Sequence, residues 1–154
     1  MAPWWMPKRD IEAFVCRHES WVERHRAMLA ERRRREAAVS EADVVRWKER
    51  ARRILPEKIA HYAAIMGVKP TGFRVTSAQK RFGSCSGKNS LCFSYRLMAY
   101  PEEAIDYVVV HELAHIRHHD HSRAFYATVA SVLPDYKKRE RLLKQPLPEL
   151  ILDD

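Results

Sequence analysis

The sequence predicts an α+β fold, and three observations carry that expectation. Up to residue 66 the apolar residues recur at helical spacing. From 73 to 98 the period drops to two. After Pro101 a segment apolar on nearly every side carries His111-Glu112-Leu113-Ala114-His115. The expected layout is one domain over 1–154: a helical part (1–66), a metal-site part (67–145) and a tail (146–154). The order is N-terminal helices, a small antiparallel sheet, a helix bearing the HExxH pattern, and C-terminal helices.

Each element has its own signal. In 9–38, Ile11, Phe14, Val15, Trp21, Val22, Met28 and Leu29 stand among charges, which suits one or two amphipathic helices. Ser40 followed by Asp43 is an approximate capping box for the next helix. Val44, Trp47, Ala51, Ile54, Leu55, Ile59, Tyr62, Ala63 and Met66 give that helix its stripe. Pro56 is expected to kink or restart it, and Gly67 to cap its C-terminus. Phe73, Val75 and Ser77 then alternate with Arg74 and Thr76. Leu91, Phe93, Tyr95 and Leu97 alternate with Cys92, Ser94, Arg96 and Met98, with the turn signal Ser86-Gly87-Lys88-Asn89 between. Two or three antiparallel strands follow, with 91–98 as the strand against which an extended peptide would dock. Pro101, Glu102 and Glu103 suit a helix start. A shorter helix is expected from about Ser122 to Val132, and a last one from Pro134-Asp135 onward.

Composition narrows the classes. Of 154 residues, 28 are Lys or Arg and 20 Asp or Glu, a net charge of +8. The excess lies before residue 111, and the His-rich remainder is neutral. Such a surface attracts anions. The densest run, Arg32-Arg33-Arg34-Arg35, is interleaved with Glu31 and Glu36 and reads first as a solvated helix face, second as a weak anion or nucleic-acid contact. No stretch approaches the ~20 apolar residues of a membrane span, and the start has no secretory h-region. Cys16, Cys85 and Cys92 are odd in number without a CxxC spacing, which suits a reducing cytoplasm.

The chemistry sits in 111–121. Two imidazoles at i and i+4 lie on one helix face, one turn apart, and can share one zinc ion through neutral ring nitrogens. Glu112 projects about 100° away round the helix, beside the metal rather than on it, where it can take a proton from water. A catalytic zinc wants a third ligand. His118 shares the face but lies about 10 Å along the axis from His111. Glu140 is the first Glu after 112 and stands in a charged stretch. His121 completes HExxHxxxxxH if the chain turns back after about Arg117, with His118 tolerating the left-handed turn that Gly makes in metzincins. His118 and His119 then read as solvated or supporting. Arg81 is a candidate substrate-anion contact, and Tyr107 and Tyr126 are candidate oxyanion donors; core packing is the plainer role for both tyrosines. Arg96 is placed with the substrate-facing set of its strand. Cys85 and Cys92 flank a turn but read as free thiols.

Several motifs recur in order: Arg81-Phe82-Gly83-Ser84-Cys85-Ser86, Ile105-Asp106-Tyr107-Val108-Val109-Val110 leading into HELAH, Asp120-His121-Ser122 with Phe125-Tyr126, and Leu133-Pro134-Asp135-Tyr136. Over about 40–145 this series resembles the YgjP-like family of metal-dependent hydrolases, related to SprT-like and other zincin metallopeptidases. The resemblance implies a zincin-like α+β fold, zinc on His111, His115 and His121, and Glu112 as catalytic base. Family members usually carry Trp at Phe82 and Asn at Asp120, and often a β-rich segment ahead of the first helices that this sequence does not show. The expected activity is zinc-dependent peptide hydrolysis, on a peptide or protein substrate, with one zinc per chain. Alternatives are hydrolysis of a nucleoside triphosphate at the same metal, or a nucleic-acid-associated adaptor with a structural metal.

Overall fold

A computed structural model of the chain describes residues 7–37 and 39–145. They fall into two compact units that divide at residue 38. The first holds helices α1 (Lys8–Arg17) and α2 (Glu19–Ala37). Trp21, Met28 and Leu29 on α2 are exposed. In the Arg run, Arg34 is held by Glu31 through two bonds of 2.9 and 3.0 Å; the side chains of Arg32 and Arg35, like those of Phe14 and Val15, lie outside the described residues, as does the tail 146–154.

The second unit opens with α3 (Glu41–Met66). Its N-terminus is the expected capping box: Ser40 Oγ accepts from Asp43 N at 3.1 Å, and Asp43 accepts from Ser40 N at 3.0 Å. Gly67, at φ 62°, closes the other end with its N–H on the Ala63 and Ala64 carbonyls. The helix runs through Pro56 as one element, so of the two expected outcomes, a kink or a restart, the restart does not occur. Pro56 points to solvent, while the stripe Trp47, Ala51, Leu55, Ile59, Ala63 and Met66 stays buried on the other side. That continuous burial, at about 1.5–3 kcal/mol per large apolar side chain, offsets the ~3 kcal/mol cost of an internal proline.

The sheet has three strands, β1 (Gly72–Thr76), β2 (Gly83–Cys85) and β3 (Ser90–Ser94), in the order β1-β3-β2. β2 and β3 form an antiparallel hairpin through 86–89, where Asn89 takes φ 60°. β1 docks on the far edge of β3 and runs parallel to it. The sheet is therefore mixed rather than wholly antiparallel, because residues 77–82 carry the chain past β3 before β2 begins. β3 is central and paired on both sides, which removes it as a docking edge for peptide.

The second half of the expected strand 91–98 is a 3₁₀ turn, Tyr95–Ala99, capped by Ser94. Leu97 and Met98 are both fully buried. A strand sends neighbours to opposite faces, so the apparent alternation past Ser94 conceals a turn. Trp47 stacks on Tyr95 at 6.2 Å and Arg50 donates to the Met98 carbonyl at 3.1 Å, which fixes the turn on α3.

Helix α4 (Glu102–Ala114) fills the core: Ile105, Val109, Val110 and Leu113 are fully buried beside Leu91 and Phe93 of β3. α5 (Arg123–Val132) and α6 (Tyr136–Leu143) pack against it. Asp106 ties three helices together, meeting Lys58 of α3 at 2.7 Å and Arg139 of α6 at 3.6 Å. Burial works against the Lys58 ammonium, yet its bonds to Asp106 and Glu102 outweigh this and raise its pKa. Among the described residues no helix is long and apolar enough to cross a membrane.

Candidate metal centre

His111 lies in the last turn of α4 and His115 caps its end. The backbone keeps helical bonds a little further, with the N–H groups of Arg117 and His118 both on the Ala114 carbonyl. The chain then turns back without a left-handed residue at His118, since Asn89 is the sole non-glycine with positive φ among the described residues. The turn is held otherwise. Arg117 donates to the Met66 carbonyl at the end of α3. The His118 ring bonds Thr128 Oγ1 of α5 at 3.0 Å. Asp120 accepts from Ser122 N at 3.3 Å, and Ser122 Oγ accepts from Phe125 N at 3.4 Å as the cap of α5. These bonds deliver His121 opposite α4.

His111, His115 and His121 each offer one ring nitrogen, all within 4.8 Å of one another. The Nε2 atoms of His111 and His121 are 3.2 Å apart. Two nitrogens on one tetrahedral zinc at ~2.0–2.1 Å are separated by about 3.3 Å, so the pair fits shared ligation. His115 Nδ1 donates to the His118 carbonyl at 2.9 Å. A carbonyl only accepts, so Nδ1 carries the proton and Nε2 keeps its lone pair free for a metal. Burial, then the neighbouring His115 and His121, push the His111 pKa down to about 4, and burial lowers His115 too. Neutral imidazoles are the ligating form.

Two supporting aromatics were not assigned this place by the sequence. Phe125, fully buried, has its ring centroid 4.9, 4.6 and 5.0 Å from those of His111, His115 and His121. It is the floor of the triad, and its spacing of four from His121 was the available signal. Tyr107 places its hydroxyl 3.4 Å from His111 Nδ1. That is the side of the ring away from Nε2, so Tyr107 orients His111 and is not positioned as an oxyanion donor.

Glu112 is 6% exposed. Burial raises its pKa to about 7, against the field of Arg81. β2 runs directly beside it: a Cβ on Gly83 would lie 2.5 Å from Glu112 Oε1 and 2.7 Å from Cγ. Only glycine allows strand and carboxylate to approach so closely. The model of the YgjP-like metallopeptidase domain matches residues 36–146. The chain belongs to the YgjP-like family. Membership makes this YgjP-like protein a metal-dependent peptidase. It is similar to the crystal structure of the metallopeptidase zymogen of Pyrococcus abyssi abylysin, at 21% identity and a TM-score of 0.55, over 62% of this chain and 100% of that one. At that identity the likeness is one of fold. No curated protein matches at a significant level.

The remaining sequence candidates differ in how near they stand to the cluster. Tyr126, 37% exposed, has its ring 6.3 Å from that of His121 and stacks on Tyr136. Arg81 is exposed, just ahead of β2. Arg96 stands in the 3₁₀ turn on α3, so the strand alternation that gave it a substrate-facing place does not hold. Cys85 and Cys92 face opposite sides of the sheet, since Cys92 pairs with Ser84 and Cys85 with Leu91; both are free thiols, as expected.

Proposed function

We propose that the protein is a zinc-dependent peptidase in which His111, His115 and His121 hold one zinc and Glu112 is the general base. One observation carries this reading: three histidine nitrogens converge within 4.8 Å on and opposite the helix whose buried Glu112 carboxyl group packs against the edge strand β2. Bound there, zinc would supply Lewis acidity toward a peptide carbonyl and lower the pKa of water. Glu112 takes a proton from the attacking water and returns it to the leaving amine, the two halves of general acid–base assistance. Gly83 keeps the strand close to that carboxylate. β2 is paired on one side only among the described residues, and an extended peptide adds to its open edge through main-chain hydrogen bonds. Tyr126, next to His121, is the candidate donor to the developing oxyanion, and Arg81 the candidate contact for a substrate anion. Family membership favours peptide bonds over nucleoside triphosphates. Free thiols at Cys16, Cys85 and Cys92 support a cytoplasmic setting.

Metal analysis tests the ligand set. Purified protein should contain one zinc per chain, His121→Ala should lose it, and His118→Ala should retain most of it. Zinc lost in His118→Ala and kept in His121→Ala would overturn the assignment.

A further inference from the structure

The outward face of the sheet carries a cleft of about 130 Å³, and its walls include Arg74, Thr76, Arg81, Ser84, Cys92 and Ser94. The strand register makes Arg74, Cys92 and Ser84 one row across β1, β3 and β2, with Thr76 beside Ser94. These side chains point away from Leu91 and Phe93, which enter the core. The lining contains two guanidinium groups, hydroxyls and a thiol, and no carboxylate. Arg74 Nε donates to Cys92 Sγ at 3.1 Å, which draws the side chain across β3. Its terminal nitrogens have no acceptor among the described residues, and Arg81 has neither a hydrogen bond nor an ion pair there. Ser94 and Thr76 are committed to the Ala78 and Phe93 carbonyls. Arg74, with its terminal nitrogens open, and Arg81, whose charge also acts on Glu112 behind Gly83, place two guanidinium groups at one walled depression, an anion site of the kind that carboxylates fill.

Gly83 connects this cleft to the candidate metal centre. It lines the cleft and lies against Glu112. A peptide on the open edge of β2 alternates its side chains between the two faces of the sheet and lies about 4.8 Å beyond β2. Its outward residue near the scissile bond therefore reaches in over Ser84, while Arg74 reaches the other way over Cys92. The geometry points to a subsite for an acidic side chain, Asp or Glu, of the bound peptide, which makes the enzyme selective for substrates with an acidic residue beside the cleaved bond. This inference rests on the peptidase reading above and adds the substrate class.

The test uses the zinc-loaded Glu112→Gln protein, which holds peptide without turning it over. Fluorescein-labelled alanine-rich octapeptides carrying one Glu at successive positions, and the same set with Gln, are titrated by fluorescence anisotropy. At one position Glu should bind about 10-fold more tightly than Gln, the gain of a charge-assisted pair, and the preference should shrink as salt is raised. Adding Arg74→Met, an exposed residue outside the metal centre, should abolish the preference and leave the Gln peptide unchanged; Arg81→Gln serves as a second variant. Peptides that bind without a Glu preference, a preference that survives both Arg variants, or no peptide binding at all would each overturn the subsite. If the Glu preference tracks Arg74 while the unsubstituted zinc protein cleaves no peptide of the set, the subsite stands and the peptidase reading fails.

Discussion

Glu112 shows how one residue's role depends on its neighbour's missing side chain. Its carboxyl group is held between the core and β2, and the space for it exists because residue 83 has no Cβ. Gly83→Ala should displace the carboxylate, and a shift on the order of 1 Å in a reacting group costs about 10²-fold in rate. Peptide turnover should fall by about that factor with zinc content unchanged; full turnover would show that the carboxylate has room to move. Phe125 makes the complementary case on the metal side. Phe125→Ala removes the floor shared by all three histidines and should cost about 3–5 kcal/mol in denaturant unfolding, with zinc bound more weakly. An unchanged zinc affinity would mean that the histidines are held by their hydrogen bonds alone. The convergence of His111 and His115 was legible because helical spacing of i and i+4 dictates a shared face. Phe125 and the His118 carbonyl were not, because their roles depend on how α5 folds back across α4.

Among the elements, those with strong local chemistry were legible. The Ser40–Asp43 capping box, the Gly67 cap and the Ser122 start of α5 each satisfy orphan backbone groups with their own side chain or a left-handed residue, which sequence alone specifies. β2 was the hard element. Three residues, Gly-Ser-Cys, have no alternation to read, and their placement is decided by the hairpin to β3 and by Glu112 behind them. The parallel pairing of β1 was equally hidden, since period two is the same in either direction. The 3₁₀ turn after β3 imitates that period, and only its double burial of Leu97 and Met98 separates the two. Asp106 tests whether a conspicuous acid near the metal centre works at the level of elements. It joins α3, α4 and α6 through Lys58 and Arg139. Asp106→Ala should lower unfolding stability by about 1–3 kcal/mol, the cost of leaving part-buried donors unpaired. Zinc content should hold; a loss of metal would give Asp106 a role at the centre itself.

For the whole molecule, the division at residue 38 separates a basic helical unit from the unit that contains the histidine cluster. The class of the fold and its element order were readable from periodicity, since each switch of period marks a change of element. The positive charge of the first 60 residues is largely a solvated helix surface, as the Glu31–Arg34 pair illustrates. Any nucleic-acid binding by 24–53 should be weak and fall steeply with salt, because it depends on counterion release; a tight complex at high salt would favour the adaptor reading. If Glu112 moves protons while three histidines hold the metal, Glu112→Gln separates the two. The measurement is peptide cleavage and zinc content on the same zinc-reconstituted sample, beside His115→Ala. Glu112→Gln should lose about 10²–10⁴-fold in rate, the usual share of general acid–base assistance, with zinc retained, while His115→Ala should lose metal and activity together. Full turnover by Glu112→Gln on a substrate that the unsubstituted enzyme cleaves would contradict that role for Glu112.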